Sequence, residues 1–306
     1  MKVLVTGAAG QLGHDVMNEL NKRGYTGVGS DLKPEYSGVQ DGSPVTYMPY
    51  IGLDITDEEA VHRVIRELKP DAIVHCAAWT AVDAAEDPAN APKVRMINAV
   101  ATAFIADAAA EVGAKMVYIS TDYVFNGQGT KPWDPDCKDY APLNIYGRSK
   151  LAGELAVSGT LEKYFIVRIA WVFGKSGQNF IKTMLKLAET HDTLRVVKDQ
   201  IGTPTYTYDL ARLLVDMLET EKYGYYHATN EGGYISWYDF ACEIFRQAGK
   251  NVTVIPVTTE EYGKSVAARP MNSRLNRSKL RDEGFTPLPA WQDALARYLK
   301  EIGVRE

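Results

Sequence analysis

A doubly wound α/β sheet with a smaller α/β lobe after it is predicted by three features of this 306-residue chain. Short apolar runs alternate with segments of helical periodicity through the first two-thirds. These runs are rich in β-branched residues and nearly continuous in hydrophobicity, as in parallel strands buried on both faces. The first run leads straight into a glycine-rich turn and a helix start. After about Trp171 the pattern changes to helices mixed with short strands, which predicts a second lobe over the carboxyl ends of the sheet.

In chain order, strands are expected at residues 2–5, 27–30, 72–75, 115–119 and 165–169. Helical periodicity fills 12–23, 57–68 and 98–112 between them. Residues 33–49 are rich in Pro and Gly and read as a long loop. Beyond Trp171, helices are expected at 180–189, 209–219, 237–247 and 291–299, with short strands near 195–197 and 252–255. The expected division is a dinucleotide-binding domain over 1–170 and a substrate lobe over 171–306, with parts of the chain crossing between them.

Composition narrows the function. A hydrophobic fraction of 45% and a charged fraction of 24% are ordinary for a soluble globular protein. A net charge of −5 argues against nucleic-acid binding, which favours a basic face. The start, Met1-Lys2-Val3-Leu4-Val5, is too short for a signal peptide before Thr6 and Gly7, and no apolar run approaches a membrane span. The expected location is the cytoplasm. Cys76, Cys137 and Cys242 are odd in number and lack a Cys-x-x-Cys spacing, so free thiols are expected.

The turn Thr6-Gly7-Ala8-Ala9-Gly10-Gln11-Leu12-Gly13 carries the first chemistry. Gly7 permits a tight turn, Gly10 lets backbone approach a pyrophosphate, and Gly13 lets helix pack close to strand. Gln11 and Leu12 open the helix, whose N-terminus offers free N–H groups and a positive dipole end to phosphates. This predicts a Rossmann-type site for NADPH or NADH. Asp31 closes the second strand, where a carboxylate bonds ribose hydroxyls and repels a 2′-phosphate. Lys33 would offset that repulsion, so cofactor preference stays open. Asp54 and Ile55 flank the adenine in one reading; in the other, Asp54 caps a helix near Thr56.

The second chemistry lies in Tyr146-Gly147-Arg148-Ser149-Lys150 and in Ser120-Thr121-Asp122-Tyr123. Tyr146 and Lys150 lie one helical turn apart on one face. An ammonium beside a phenol is expected to lower the phenol's pKa and make it a working proton donor. Thr121 stands at the carboxyl end of the strand 115–119, where it can donate to a developing oxyanion.

A glycine-rich turn, Thr121, Tyr146 and Lys150 in this order resemble the extended short-chain dehydrogenase/reductase family. Further segments narrow the resemblance to its dTDP-4-dehydrorhamnose reductase branch. They are Ser120 to Phe125, Lys131-Pro132-Trp133, Pro142 to Gly147, Lys150 to Glu154, Cys76 to Asp83, Gln200 to Thr205 and Arg269 to Leu275. The resemblance covers essentially the whole chain. It implies hydride delivery from the nicotinamide to the C4 ketone of a nucleotide-linked 4-keto-6-deoxyhexose. Tyr146 would protonate the alkoxide, Lys150 would hold the nicotinamide ribose, and Thr121 would bond the carbonyl oxygen. Asp122, Tyr123 and Trp171 would contact the sugar, although Trp171 also reads as a core residue. Ala77, Ala78 and Trp79 match a turn against the cofactor; many relatives carry His where Trp79 stands.

Arg269 and Arg274 are expected on the substrate pyrophosphate, with a surface ion pair as the alternative for Arg274. Asn179 either reaches the nucleotide or caps a helix. Asp83, Glu86 and Asp87 read as structural carboxylates near a helix start rather than a metal site, and no metal is expected. His75 and Cys76 read as core residues. The partner expected is a small nucleotide sugar, with a homodimer possible. Two other functions stay open. A related epimerase or dehydratase is one, although Tyr123 stands where a dehydratase would carry a second carboxylate. A non-catalytic regulatory subunit, like that of methionine adenosyltransferase, is the other.

Overall fold

The computed structural model describes residues 1–263 and 265–305. Its central layer is a seven-stranded parallel sheet built from β1 (Lys2–Thr6), β2 (Thr26–Asp31), β3 (Tyr50–Gly52), β4 (Ala72–His75), β5 (Lys115–Thr121), β6 (Tyr164–Ile169) and β7 (Gly224–His227). The strand order is β7-β6-β5-β4-β1-β2-β3. The order reverses at β1, which lies between β2 and β4 and pairs Thr6 with both Ser30 and His75. A doubly wound sheet opens its binding crevice at that point, beyond the carboxyl ends of the strands.

The apolar strands are continuous because both faces are covered. Val3, Val5, Val74, Val117 and Phe165 pack with Val16 and Leu20 of α1 (Gln11–Lys22) on one face. Leu4, Ile73, Met116 and Ile166 pack on the other against α2 (Glu58–Leu68), α3 (Ala101–Val112) and α4 (Ile145–Thr160), through Val61, Ile65, Ile105, Ala109 and Val157. All of these side chains are fully buried. Each buried aliphatic side chain contributes about 1.5–3 kcal/mol, which makes this layer a stable platform.

Helices α5 (Phe180–Leu187), α7 (Trp237–Ala248) and α8 (Trp291–Glu301) close a separate core around Phe173, Tyr206, Phe240, Ile244, Leu295 and Tyr298. The helix between α5 and α7 in the chain, α6 (Thr207–Leu218), packs instead beside α1 on its face of the sheet, through Leu210 and Leu214. With β7, it returns the later half of the chain to the central layer.

The structure corrects several expected elements. β3 is a three-residue strand just past the loop read at 33–49, and β7 lies where no strand was expected. β3 is too short to show periodicity, and β7, Gly-Tyr-Tyr-His, lacks the run of aliphatic residues that marks β4. The helix expected from residue 98 starts earlier, as an α-helical turn at Ala91–Arg95, and passes through a π-helical turn, Met96–Val100, before regular α-helix resumes at Ala101. Asp57 caps α2 by accepting the Ala60 N–H at 3.0 Å, so Asp54 is not that cap. No helix among the described residues is long and apolar enough to cross a membrane.

Candidate active site

The glycine turn between β1 and α1 is shaped by contacts that exclude side chains. Gly7 has φ +69° and lies so near β4's exit that a Cβ would stand 2.6 Å from the Ala77 nitrogen. At Gly13 a Cβ would collide with the Gly7 carbonyl oxygen. The N-cap of α1 is Gly10, which supplies no side-chain cap, and the first turn carries no acidic residue. The free N–H groups and positive dipole end of α1 therefore face the crevice. Asp31 steadies the turn: its carboxylate accepts the N–H of Ala9 at 3.2 Å and of Leu32 at 2.8 Å.

These elements open into a cleft of about 1080 Å³. That exceeds the upper end, about 1,000 Å³, of ordinary single-ligand pockets. Gly7, Gly10, Gln11, Leu12, Gly13, Asp31, Asp54, Ile55, Ala77 and Ala78 line one part of it. Thr121, Asp122, Tyr123, Tyr146, Lys150 and Trp171 line another. Contiguous space thus joins the turn to the Tyr–Lys pair.

Four of the sequence-predicted site residues stand outside the lining. Trp79 is held by its backbone N–H, which donates to Asn98 Oδ1 at 2.8 Å, and by its indole Nε1, which donates to the Ala81 carbonyl at 3.0 Å. Asn179 caps α5 and spends Nδ2 on Gln11, Gly174 and Tyr298. Arg269 grips Asp83 with both terminal nitrogens, at 2.9 and 2.8 Å. Arg274 spends Nη1 on Asn272 Oδ1 at 2.9 Å. The acidic cluster is structural. Asp83 also accepts two backbone N–H groups, Glu86 accepts the Ile145 N–H at 2.6 Å, and Asp87 accepts that of Ala89. Glu86 therefore helps start α4, the helix that carries Tyr146 and Lys150.

Helix α4 is positioned by more than its cap. Asn144 accepts the Gly147 N–H at 2.7 Å and donates to the Ala268 carbonyl at 2.8 Å. Gly153 lets the helix lie against Tyr118, whose hydroxyl a Cβ would meet. Glu154, one turn beyond Lys150, is fully buried and doubly bonded to buried Arg168 of β6, at 2.8 and 2.7 Å. Ser120 donates to the same carboxylate. That ties the helix to the strand end that presents Thr121.

The electrostatics correct one expectation. Burial pushes the Tyr146 phenol above its ordinary value, opposed by a hydrogen bond with Thr121 and reinforced by Asp122. Burial pushes the Lys150 ammonium down to about 7, with Glu154 pulling the other way. Its Nζ lies 4.1 Å above the Tyr118 ring. The expected lowering of the Tyr146 pKa by Lys150 is thus not seen: burial sets the direction, and the opposing influence comes from the Thr121 hydroxyl rather than from Lys150. Tyr146 stands at neutral pH as a protonated phenol, a donor beside the Thr121 hydroxyl. Burial also lifts Asp122 to about 6, against hydrogen bonds from Ser273 and Thr121. His75 is a neutral core residue, bonded to Thr6 at 2.7 Å and Thr102 at 3.1 Å. The Cys76 thiol is pushed up to about 12 by burial, which leaves it a poor nucleophile.

Sequence reasoning missed two residues. Asn98 lies on the π-helical turn and clamps Trp79 to Ser149, whose hydroxyl donates to the Tyr146 carbonyl. A π-turn often marks a functional site, but it leaves no readable trace in sequence. Trp237, the first residue of α7, lines the cleft against Trp171. Its one sequence signal is the preceding cap, Ser236 with Asp239.

Residues 1–304 match the family described as RmlD substrate binding domain. A Bacillus subtilis spore coat polysaccharide biosynthesis protein, SpsK, is 39% identical over 98% of this chain and 97% of its own length. A dTDP-4-dehydrorhamnose reductase of Streptomyces griseus is 39% identical over 95% of this chain and 91% of its own. The crystal structure of the Bacillus anthracis dTDP-4-dehydrorhamnose reductase in complex with NADP superposes with a TM-score of 0.88 at 42% identity, covering 98% of this chain and 99% of that one. With a dinucleotide turn, a Thr–Tyr–Lys constellation and near-complete alignment in agreement, the chain belongs to the RmlD substrate binding domain family.

Proposed function

We propose that this protein reduces the C4 ketone of dTDP-4-dehydro-L-rhamnose to dTDP-L-rhamnose with NADPH or NADH. The observation that carries the proposal is the neutral Tyr146 phenol beside Thr121, in one cleft with the glycine turn. The cofactor fits the residues present: Gly7, Gly10 and Gly13 clear a backbone cradle, and α1 points an uncapped N-terminus into it. When bound, the nicotinamide supplies the hydride.

The chain's own groups do the rest. The Thr121 hydroxyl donates to the carbonyl oxygen and holds it near Tyr146. Tyr146 passes its phenolic proton to the forming alkoxide, which raises the demand for a cation nearby. Lys150 meets that demand in its ammonium form and holds the nicotinamide ribose. Asp122, Tyr123 and Trp171 orient the sugar. Arg274 has more of its guanidinium to offer the substrate pyrophosphate than Arg269, which is bound to Asp83. Asn179 acts through Gln11 at the cofactor turn.

In this reading residues 1–170 hold the dinucleotide and 171–306 hold the sugar nucleotide, with α6 and β7 crossing back to the sheet. Cytoplasmic placement and a homodimer belong to the same proposal; sedimentation velocity tests the dimer. The activity is tested with enzymatically prepared dTDP-4-keto-6-deoxy sugars, with NADH and NADPH in parallel and the product identified by NMR. Stoichiometric cofactor oxidation with a new C4 alcohol is expected. Cofactor binding without consumption would overturn the reading, and an epimerised product without net oxidation would replace it.

A further inference from the structure

The sugar side of the cleft contains a marked backbone irregularity. Trp171 has φ +52°, in the left-handed region, and Lys69 at a helix end is the other non-glycine there among the described residues. A bulky side chain in that region is strained, and such strain persists where the surroundings hold it in place. Trp171 is packed against two distant segments of the chain. Its indole lies face to face with that of Trp237, ring centroids 3.8 Å apart and 17° from parallel. Gly202 also approaches so closely that a Cβ there would stand 2.9 Å from Trp171 Cε2. The backbone is fixed as well, because the Trp171 carbonyl accepts the Thr205 N–H at 3.1 Å.

Trp237 is itself firmly placed. It opens α7 directly after Ser236, whose side chain and Asp239 form a reciprocal capping box. Phe180, the first residue of α5, packs against it at 4.6 Å. The Asn179 cap of α5 reaches Gln11 of the glycine turn at 3.0 Å. A connected path of contacts thus runs from the cofactor turn to the indole pair. Both indoles line the cleft that contains Thr121 and Tyr146.

We propose that Trp237 is a positioning residue for the sugar: its indole clamps Trp171 in the left-handed conformation, and so fixes the apolar wall against which the substrate ring is oriented towards Tyr146. This rests on the sugar-nucleotide reading above. The wall suits a deoxygenated sugar, which presents a methyl group where a hexose presents a hydroxymethyl. An apolar surface offers that methyl contact without leaving a polar group unpaired.

The test compares wild type, Trp237→Ala and Trp237→Phe as cofactor-loaded enzymes, with Gly202→Ala as a second route to the same displacement. The expected result for Trp237→Ala is a KM for the 4-keto sugar nucleotide raised several-fold to about tenfold. The cofactor Kd should not change, and Trp237→Phe should restore most of the affinity. Circular dichroism should lose the exciton signal of the stacked indoles in both Trp237 variants. Gly202→Ala should raise the same KM with Trp237 intact. A Trp237→Ala enzyme with wild-type KM and kcat would overturn the clamp and leave the reductase reading standing. If the wild type shows no reductase turnover, that reading fails separately. The clamp is then judged by calorimetry with dTDP-glucose: weaker binding in Trp237→Ala supports it, and equal binding overturns it. If Trp237→Ala does not fold, Gly202→Ala and Trp237→Phe decide by the same measurements.

Discussion

On the β1–β4 side of the cleft the surface is mostly backbone. Gly7, Gly10 and Gly13 clear the space, and Asp31 and Thr6 brace the strand ends. On the opposite side the surface is side chains: Thr121, Tyr146 and Lys150 from the sheet layer, Trp171 and Trp237 from the chain beyond it. The first side centres on one continuous stretch, the turn from Gly7 to Gly13, and tolerates no added atom at two of its glycines. The second gathers residues separated by more than a hundred positions, and holds them with hydrogen bonds and ring contacts. Backbone surface suits a phosphate-bearing group that every turn of this kind meets in the same way. Side-chain surface suits a ligand whose shape must be told from others.

Substitutions can break that contrast, and the largest effect is expected on the side-chain half. Tyr146→Phe should lower kcat by about 10²–10⁴-fold with cofactor affinity and melting temperature unchanged. Unaltered turnover would remove Tyr146 from its role as acid. Next comes the anchor behind that half. Glu154→Gln leaves Arg168 buried without its partner, and should cost roughly 3–5 kcal/mol in urea unfolding. A loss below about 1 kcal/mol would mean that α4 is held by packing rather than by the ion pair.

The backbone half is sharpened by Gly13→Ala. Overpacking against the Gly7 carbonyl should cost roughly 1–3 kcal/mol and weaken dinucleotide binding, while dTDP binding stays as it was. Equal weakening of both ligands, measured by calorimetry, would show that the halves are not separable. Asp122 gives an effect of similar or smaller size. Its folded pKa, about 6, lies above the unfolded value of 3.8. The protonated form therefore stabilises the fold below about pH 4, and that contribution is lost as pH rises through 6. Asp122→Asn should be more stable than wild type at pH 7, by on the order of 1–3 kcal/mol, and should match it at pH 4. A constant difference across that range would assign the stability to packing.

Lys150 is the subtlest case, because its charge serves activity at the expense of stability. With the amine at about 7, its ammonium fades as pH rises through neutrality, so kcat/KM should fall over that range. For stability the sign is opposite. The folded pKa lies below the unfolded value of 10.5, so the contribution is present above 10.5 and lost as pH falls through 7. Lys150→Met should be inactive yet melt about 2–4 °C higher at pH 6. A lower melting point would show that contact with the Tyr118 ring outweighs desolvation.

Much of this molecule is legible in the sequence because local rules carry it. β1, β2, β4, β5 and β6 announce themselves as apolar runs, and the glycine spacing states its own sterics. Tyr146 and Lys150 share a helix face by spacing alone, and Thr121 falls at a strand end. What stays hidden is set by partners remote in sequence. β7 forms because β6 offers an open edge, and β3 because β2 does. Arg269 is taken up by Asp83, 186 residues away. Glu154 and Arg168 neutralise each other inside the core.

The sequence by itself determined five of the seven strands, the glycine turn and the placing of Tyr146 and Lys150 on one helix face, since periodicity, glycine sterics and helical spacing act within a few residues. The tertiary structure alone decided their protonation and their aim. Desolvation sums over every neighbour, so it raises Tyr146 and lowers Lys150 against the expectation drawn from the pair in isolation. The left-handed Trp171, in contact with both Gly202 and Trp237, likewise exists because three distant segments meet there.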